Sequence, residues 1–352
     1  MTQQLTDEQL RHLKSLKELT VAGGPIDTSA ATATNVYYDP DDLARAKVRK
    51  RIIADFFAEN TEVLRDRHAV IMAGPPGAGK SSALREKIPD GEMKYWRSID
   101  PDDFKARLLR RAIASGEYDA LVPDEVRRRQ ASGEVFAPGE LAALAHEESS
   151  ILAKQAREQA LTRGERVIID GVNGNGDKLV GRINELAGNG YARVDIICVD
   201  GPKDVTRARV LNRWAKGYAK YAADPTDVEA GFRARYVPEY VTDELYEDER
   251  FSTCATAVTQ AAEDAPEGVT VDAAIYYVAT PASAGQPWQS YHKDADGLTT
   301  TKHQVIDSPE RVDVAPVAAS DVAAGGDVNV TTYQRADGTT VQSHARNRPT
   351  RS

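Results

Sequence analysis

The sequence predicts an α/β protein built on a parallel sheet sandwiched by helices, with helices ahead of it and a β-rich, poorly structured tail behind it. Two observations predict this. Short apolar runs, HAVIMA (68–73), YWRSI (95–99), RVIID (166–170), VDIICV (194–199) and DAAIYYV (272–278), alternate with longer helical patterns. Parallel strands need such alternation, because each crossover must carry the chain back over the sheet, and helices then cover both faces. The first run also leads directly into Gly74-Pro75-Pro76-Gly77-Ala78-Gly79-Lys80-Ser81, after which a helical pattern begins.

Taken in order, the chain falls into three zones. Residues 1–66 read as a helical extension. Thr6 can cap a helix that carries Leu10, Leu13 and Leu16 on one stripe, and a second pattern from Asp41 carries Ile52, Ile53, Phe56 and Phe57. The small-residue stretch VAGGPIDTSAATATN links the two. Residues 67–280 hold the alternating runs and form the main domain. Residues 281–352 shift to Ala, Asp, Thr, Val and Gly, with few large apolar side chains to build a core. Within this tail, YHKDADGLTT (291–300) and YQRADGTTV (333–341) both set Ala-Asp-Gly between β-prone flanks, the signal of a hairpin turn. A calcium loop is the weaker reading of DADG, which lacks the further acids and terminal Glu of an EF-hand.

Composition narrows the function. A formal net charge of −9 over 352 residues gives the whole chain no general attraction for nucleic acid or an anionic membrane. Cys198 and Cys254 are too few for a disulfide framework, and Cys198 sits in an apolar run as a reduced core thiol. The start, MTQQLTDEQLRHLKSLKEL, lacks a basic n-region and an apolar h-region, and no later run is long enough to span a bilayer. The expected location is cytoplasmic.

The glycine-rich stretch matches G-x-x-x-x-G-K-[ST], the P-loop or Walker A motif. In such a loop, backbone N–H groups close around phosphate oxygens at the positive end of a helix. Gly74, Pro75, Pro76, Gly77, Ala78, Gly79, Lys80, Ser81 and Ser82 are therefore the nucleotide-binding candidates. Lys80 is assigned to the β- and γ-phosphates of a nucleotide, and the Ser81 hydroxyl to Mg²⁺. Asp100, Asp102 and Asp103 follow the second strand candidate, where ligands of open α/β sheets collect. One of them can accept a proton from an acceptor hydroxyl, or Asp102 or Asp103 can instead cap the next helix. Asp170, ending RVIID, is placed to hold Mg²⁺ or its water. Arg207, Arg209, Arg213, Arg233 and Arg235 supply a set of cations from which arginines meeting a transferring phosphoryl group would come. Arg209 and Arg213 are four apart and share a helix face.

Over roughly residues 67–280 the chain resembles the zeta toxin family of P-loop kinases. The run Ile99-Asp100-Pro101-Asp102-Asp103-Phe104-Lys105 is similar to the family's I-D-x-D-x-F-[KR]. The resemblance makes Asp102 the catalytic base. The spacing from Pro202-Lys203 to Arg213 fits the family's first lid-side arginine, and Arg235-Tyr236-Val237-Pro238 fits its R-x-x-P, giving the second. The family often has threonine after Asp-Gly or Glu-Gly, where this chain has Val172, with Asn173 next in line to replace it. Glu147 or Glu148 occupies the place of a substrate-side glutamate. HEESS itself is no zincin motif, since Ser150 stands where a second His would be needed.

The resemblance implies ATP-dependent phosphorylation of a sugar hydroxyl of UDP-N-acetylglucosamine, with Mg²⁺ bridging phosphate oxygens and an inhibitory antitoxin protein as partner. The helix over 6–19 is then a cap on the kinase domain or a docking element. Two other readings compete. One is a P-loop kinase for another nucleotide-like acceptor. The other is a phage-associated structural or delivery protein with a vestigial nucleotide domain, because the basic end TYQRADGTTVQSHARNRP is similar in style to the tails of such proteins. The set Lys80, Ser81, Asp102, Arg213 and Arg235 argues against lost activity.

Overall fold

All five strand candidates form strands of one sheet. The computed structural model describes residues 5–278 and 287–303, together with the backbone of four short strands farther on. The chain divides into two compact units, Met1–Pro309 and Glu310–Ser352.

In the first unit the helices α1 (Asp7–Leu19), α2 (Thr34–Tyr37) and α3 (Leu43–Ala58) precede β1 (His68–Ala73) and α4 (Lys80–Lys87). Next come β2 (Arg97–Ile99), α5 (Pro101–Ser115), α6 (Tyr118–Leu121) and α7 (Asp124–Ala131). A 3₁₀ segment, Pro138–Ala145, runs into α8 (His146–Thr162), followed by β3 (Val167–Ile169), α9 (Gly176–Gly188) and β4 (Arg193–Asp200). The unit continues with α10 (Lys203–Ala223), α11 (Val228–Arg233), α12 (Glu239–Asp243), α13 (Thr253–Glu263), β5 (Thr270–Tyr277), β6 (Gln289–Asp294) and β7 (Gly297–Lys302).

The sheet order is β2-β3-β1-β4-β5-β6-β7. The first five strands are parallel, and β6 and β7 continue antiparallel from β5. Both faces of the inner strands are covered, which is why their sequences are continuously apolar instead of alternating. Ala69, Ile71, Val194, Ile196 and Cys198 join the core under α3, α5, α8, α9 and α13. Val70, Met72, Ile168, Ile197 and Val199 face the other way, against Ile88 and Trp96. Cys198 and Cys254 are buried and unbridged, and burial pushes the Cys198 thiol well up.

Three expectations need correction. Residues 1–66 are not an extension, because Ile52, Ile53, Phe56 and Phe57 of α3 belong to the same core as β1. The stripe Leu10-Leu13-Leu16 is the inward face of α1 only in part: Leu13 and Leu16 pack in a buried cluster, and Leu10 does not. Leu10 is 51% exposed, and the helix buries Gln9, His12, Ser15, Leu16 and Leu19, its three buried polar residues all being hydrogen-bonded. Periodicity favoured leucines, whereas partners far along the chain decided the rotation. Thr6 does cap the helix, accepting from the Gln9 N–H at 3.2 Å. The boundary at 280 falls inside the first unit. The hairpin expected at Ala-Asp-Gly is β6–β7, with Gly297 at φ +125°, and it is hydrogen-bonded along β5, burying Tyr291 against the core.

In the second unit Tyr333–Gln334 pairs antiparallel with Thr340–Val341, and Val328–Val330 with His344–Arg346. The rest of the stretch expected to be poorly structured, including the second Ala-Asp-Gly, lies outside the described residues.

Candidate active site

The loop 74–79 leaves the carboxyl end of β1, and Gly79 caps α4, so Lys80 and Ser81 open that helix. Two glycines are required by close approach. A Cβ on Gly74 (φ +136°) would stand 2.1 Å from the Val199 carbonyl oxygen, and one on Gly77 (φ +83°) 2.3 Å from that of Thr206. The loop is thus pressed against the end of β4 and the start of α10. Its other flank is tied to the segment after β3, where the Gly74 N–H donates to the Val172 carbonyl at 2.9 Å. The Lys80 ammonium reaches back over the loop to the Gly74 carbonyl at 2.8 Å. Ser81 and Ser82 are exposed at the helix start.

Asp100 follows β2 and is the true cap of α5, its carboxylate accepting from the Asp102 N–H at 2.8 Å. Pro101 fills the first helical position, where a missing N–H costs nothing. Capping by Asp102 or Asp103 is thereby excluded: Asp103 is held by Arg107 at 2.8 Å, and Asp102 turns to the cleft. There it accepts from Lys105 Nζ at 2.9 Å and from the Arg235 guanidinium. Burial alone would raise its pKa, but the Arg235 and Lys105 charges hold it well below the usual carboxylate range. Asp100 behaves oppositely, pushed up to about 6 by burial and by the charges of Asp102 and Asp170.

Asp170, just past β3, is raised by burial, with Lys80 as its main opposing charge. Its Oδ1 is buried and has no hydrogen-bond partner. Arg213 of α10 keeps part of its surface exposed, yet neighbouring protein atoms desolvate it. That desolvation, with the Arg235 charge beside it, lowers its pKa, while Asp102 pulls it up. Lys80, Asp102, Asp170, Arg213 and Arg235 are therefore within electrostatic reach of one another through shared neighbours. Beside them lies a cleft of ≈ 280 Å³ lined by Asp102, Lys105, Leu109, Gly139, Phe232 and Arg235 among others.

The remaining candidates go elsewhere. Glu147 is exposed, and Glu148 is buried in ion pairs with Arg45 at 2.6 Å and Arg49 at 2.7 Å. Asn173, at φ +50°, donates its amide to the Met72 carbonyl at 2.7 Å and braces the end of β1. Arg207 pairs with Asp243. Two residues went unselected by the sequence reading. Arg209 donates to the Ala78 carbonyl of the loop at 3.1 Å, and the sequence signalled only that it shares a face with Arg213. His146 opens α8 near Lys105 and Asp102, and burial first, then Lys105, lowers its pKa. No sequence signal marked it.

Among the described residues no group of three or more His, Cys, Asp or Glu could hold a metal, and no helix is long and apolar enough to cross a membrane. Comparison with known proteins gives a match to the family model described as Zeta toxin over residues 57–274. No curated protein matches. Among solved structures, one from the PezAT chromosomal toxin-antitoxin system of Streptococcus pneumoniae is similar at 15% identity, covering 53% of this chain and 68% of that one with a TM-score of 0.36. The AvrRxo1-ORF1:-ORF2 structure with ATP is similar at 13% identity, covering 72% and 69%, with a TM-score of 0.45.

Proposed function

The chain belongs to the zeta toxin family and is a nucleotide-dependent kinase, and on that premise we propose that it moves the γ-phosphoryl group of ATP to a sugar hydroxyl of UDP-N-acetylglucosamine. The observation that carries the reading is the Asp102 carboxylate, kept ionised by Arg235 and Lys105 at the mouth of the cleft. Gly74 to Ser82 would cradle the phosphates, with Lys80 as the point charge on the β- and γ-oxygens. Arg213 and Arg235 would meet the charge that builds on the equatorial oxygens of the transferring group.

A carboxylate held this low is a weak base, which the pairing itself can relieve. When Arg235 turns to the incoming phosphate, Asp102 loses its strongest opposing charge and its proton affinity rises as the acceptor hydroxyl arrives. Binding the donor would thus prepare the base. The residues present also suit Mg²⁺: the unpartnered Asp170 oxygen and the Ser81 hydroxyl are the one or two protein ligands that this ion commonly takes alongside phosphate oxygens and water. The ion, when bound, would offset charge on the β- and γ-phosphates.

The cytoplasm, where both nucleotides are found, fits this reading. An inhibitory antitoxin protein as partner is part of the same proposal, resting on the family premise. Incubation with Mg-ATP and a panel of nucleotide sugars, read by mass spectrometry, tests the acceptor. A phosphorylated UDP-N-acetylglucosamine is expected; phosphorylation of another nucleotide in its place would move the reading to that acceptor.

A further inference from the structure

Several polar groups converge at the buried contact between α1 and α10, outside the cleft. His12 of α1 is fully enclosed, with Nδ1 2.7 Å from a Glu134 oxygen and Nε2 3.0 Å from both oxygens of Glu140. Carboxylates only accept, so the ring satisfies both sides only as the imidazolium, which donates from both nitrogens. Glu140 is itself buried and takes two more donors: Trp214 Nε1 at 2.7 Å and the Ala137 N–H at 2.8 Å. Among the described residues His12 is its one ion-pair partner.

Both ends of this junction reach the cleft. Glu140 lies in the segment Pro138–Ala145, whose Gly139 and Ala142 line the cleft. Trp214 is fully buried beside Arg213, which acts on Arg235 and Asp102. Gln9 adds a bond to the Ala215 carbonyl at 3.0 Å, fixing α1 to the same turn of α10. We propose that Glu140 is a positioning residue: its carboxylate, clamped between His12, Trp214 and the main chain at Ala137, sets the place of Arg213 and of the Gly139–Ala142 wall. The α1 helix is on this account part of the catalytic scaffold and not a cap. The role given to Arg213 rests on the kinase reading above.

The clamp depends on pH. The groups facing His12 are Glu134 and Glu140, with Tyr218 stacked on the ring at 4.4 Å and Glu8 bonded to Tyr218. Tyr118 and Tyr221 stand near Glu140. Arg129 of α7 also bonds α1 but is engaged by Ser15, Glu18 and Glu125. Although burial opposes it, the two glutamates raise the His12 pKa from 6.5. The imidazolium is therefore complete below 6.5, and the clamp is lost as pH climbs through the raised value.

The test uses the full chain and the variants Glu140→Gln, His12→Gln and Trp214→Phe, which removes the indole donor together with part of the buried ring. Carbon-detected histidine NMR follows the His12 titration, and Mg-ATP turnover is measured across pH. Hydrogen exchange reads residues 138–145 and 209–218 without any turnover. Expected are a lower His12 midpoint in Glu140→Gln, faster exchange in both segments, and a fall in kcat of about tenfold or more with KM for ATP unchanged. His12→Gln should lose the alkaline fall that the parent shows. Parental exchange and parental kcat in Glu140→Gln and Trp214→Phe would overturn the proposal. A parent that turns over no ATP would sink the kinase reading instead, and the exchange data would still decide the clamp.

Discussion

Replacing Glu148 separates a structural carboxylate from a substrate ligand. Its side chain is 0% exposed, and Arg45, 3% exposed, donates to both of its oxygens at 2.8 and 2.6 Å, with Arg49 adding a third bond at 2.7 Å. Glu148→Ala leaves the Arg45 guanidinium buried over the Tyr38 ring without its counter-charge. Removing one partner of a buried pair costs about 3–5 kcal/mol. At about 2–4 °C per kcal/mol for a domain of this size, the melting temperature should drop by roughly 6–20 °C. Glu147→Ala, on an exposed side chain, should stay within about 0.5 kcal/mol of the parent. Burial would raise the Glu148 pKa, yet Arg45 and Arg49 hold it below its ordinary 4.5. Its contribution is therefore present above 4.5 and fades as pH falls through the lowered value, so the two melting curves should converge in acid. Calorimetry across pH, paired with transfer assays, reads both effects. A Glu148→Ala protein that melts within 2 °C of the parent but loses acceptor affinity about tenfold would refute this reasoning and return the residue to the substrate.

Four further outcomes follow from the same geometry. Asp102→Asn should still bind ATP and lose transfer by about two orders of magnitude or more. Asp100→Asn keeps the cap of α5, since Asn caps as well as Asp, and should melt no lower at pH 8, where the parent carboxyl, raised to about 6, is ionised at a cost. Gly77→Ala, whose Cβ would meet the Thr206 carbonyl at 2.3 Å in a left-handed backbone, should lower both melting temperature and ATP affinity, measured by calorimetry and nucleotide titration. Truncation after Val278 should lower the melting temperature by about 5 °C or more, because it uncovers β5 and removes the buried Tyr291, whereas truncation after Pro309 should leave it near the parental value.

The sheet was legible because its signals are local: five apolar runs, a glycine loop whose backbone needs are written in residue type, and a Pro101 that marks where α5 begins. The candidate site could be read from the sequence only where a motif names a position. Glu148 carries the same letter as a substrate-binding glutamate, and only Arg45 and Arg49, some hundred residues earlier, make it structural. His12 and Gln9 likewise read as the polar side of a leucine stripe until Glu140 and the Ala215 carbonyl turn them inward.

The arginines of α10 carry this furthest. Arg209 and Arg213 were expected to share a face, which an α-helix ensures at a spacing of one turn, about 5–6 Å. Sharing a face does not mean sharing a partner. Arg209 bonds the Ala78 carbonyl inside the phosphate loop, while Arg213 lies by Arg235 and Asp102 across the cleft. One turn of helix thus spans the step from the glycine-rich loop to the neighbourhood of Asp102 and Arg235. A rigid α10 fixes the distance between them, and the Trp214 bond to Glu140 lies on that same turn. A shift of α10 along its axis would therefore move Arg209 off the loop as it moved Arg213 off the cleft, so the two arginines should fail together when the helix is displaced and separately when each is replaced by Ala. Nucleotide affinity and transfer rate, measured for both single variants and for Trp214→Phe, distinguish the two patterns.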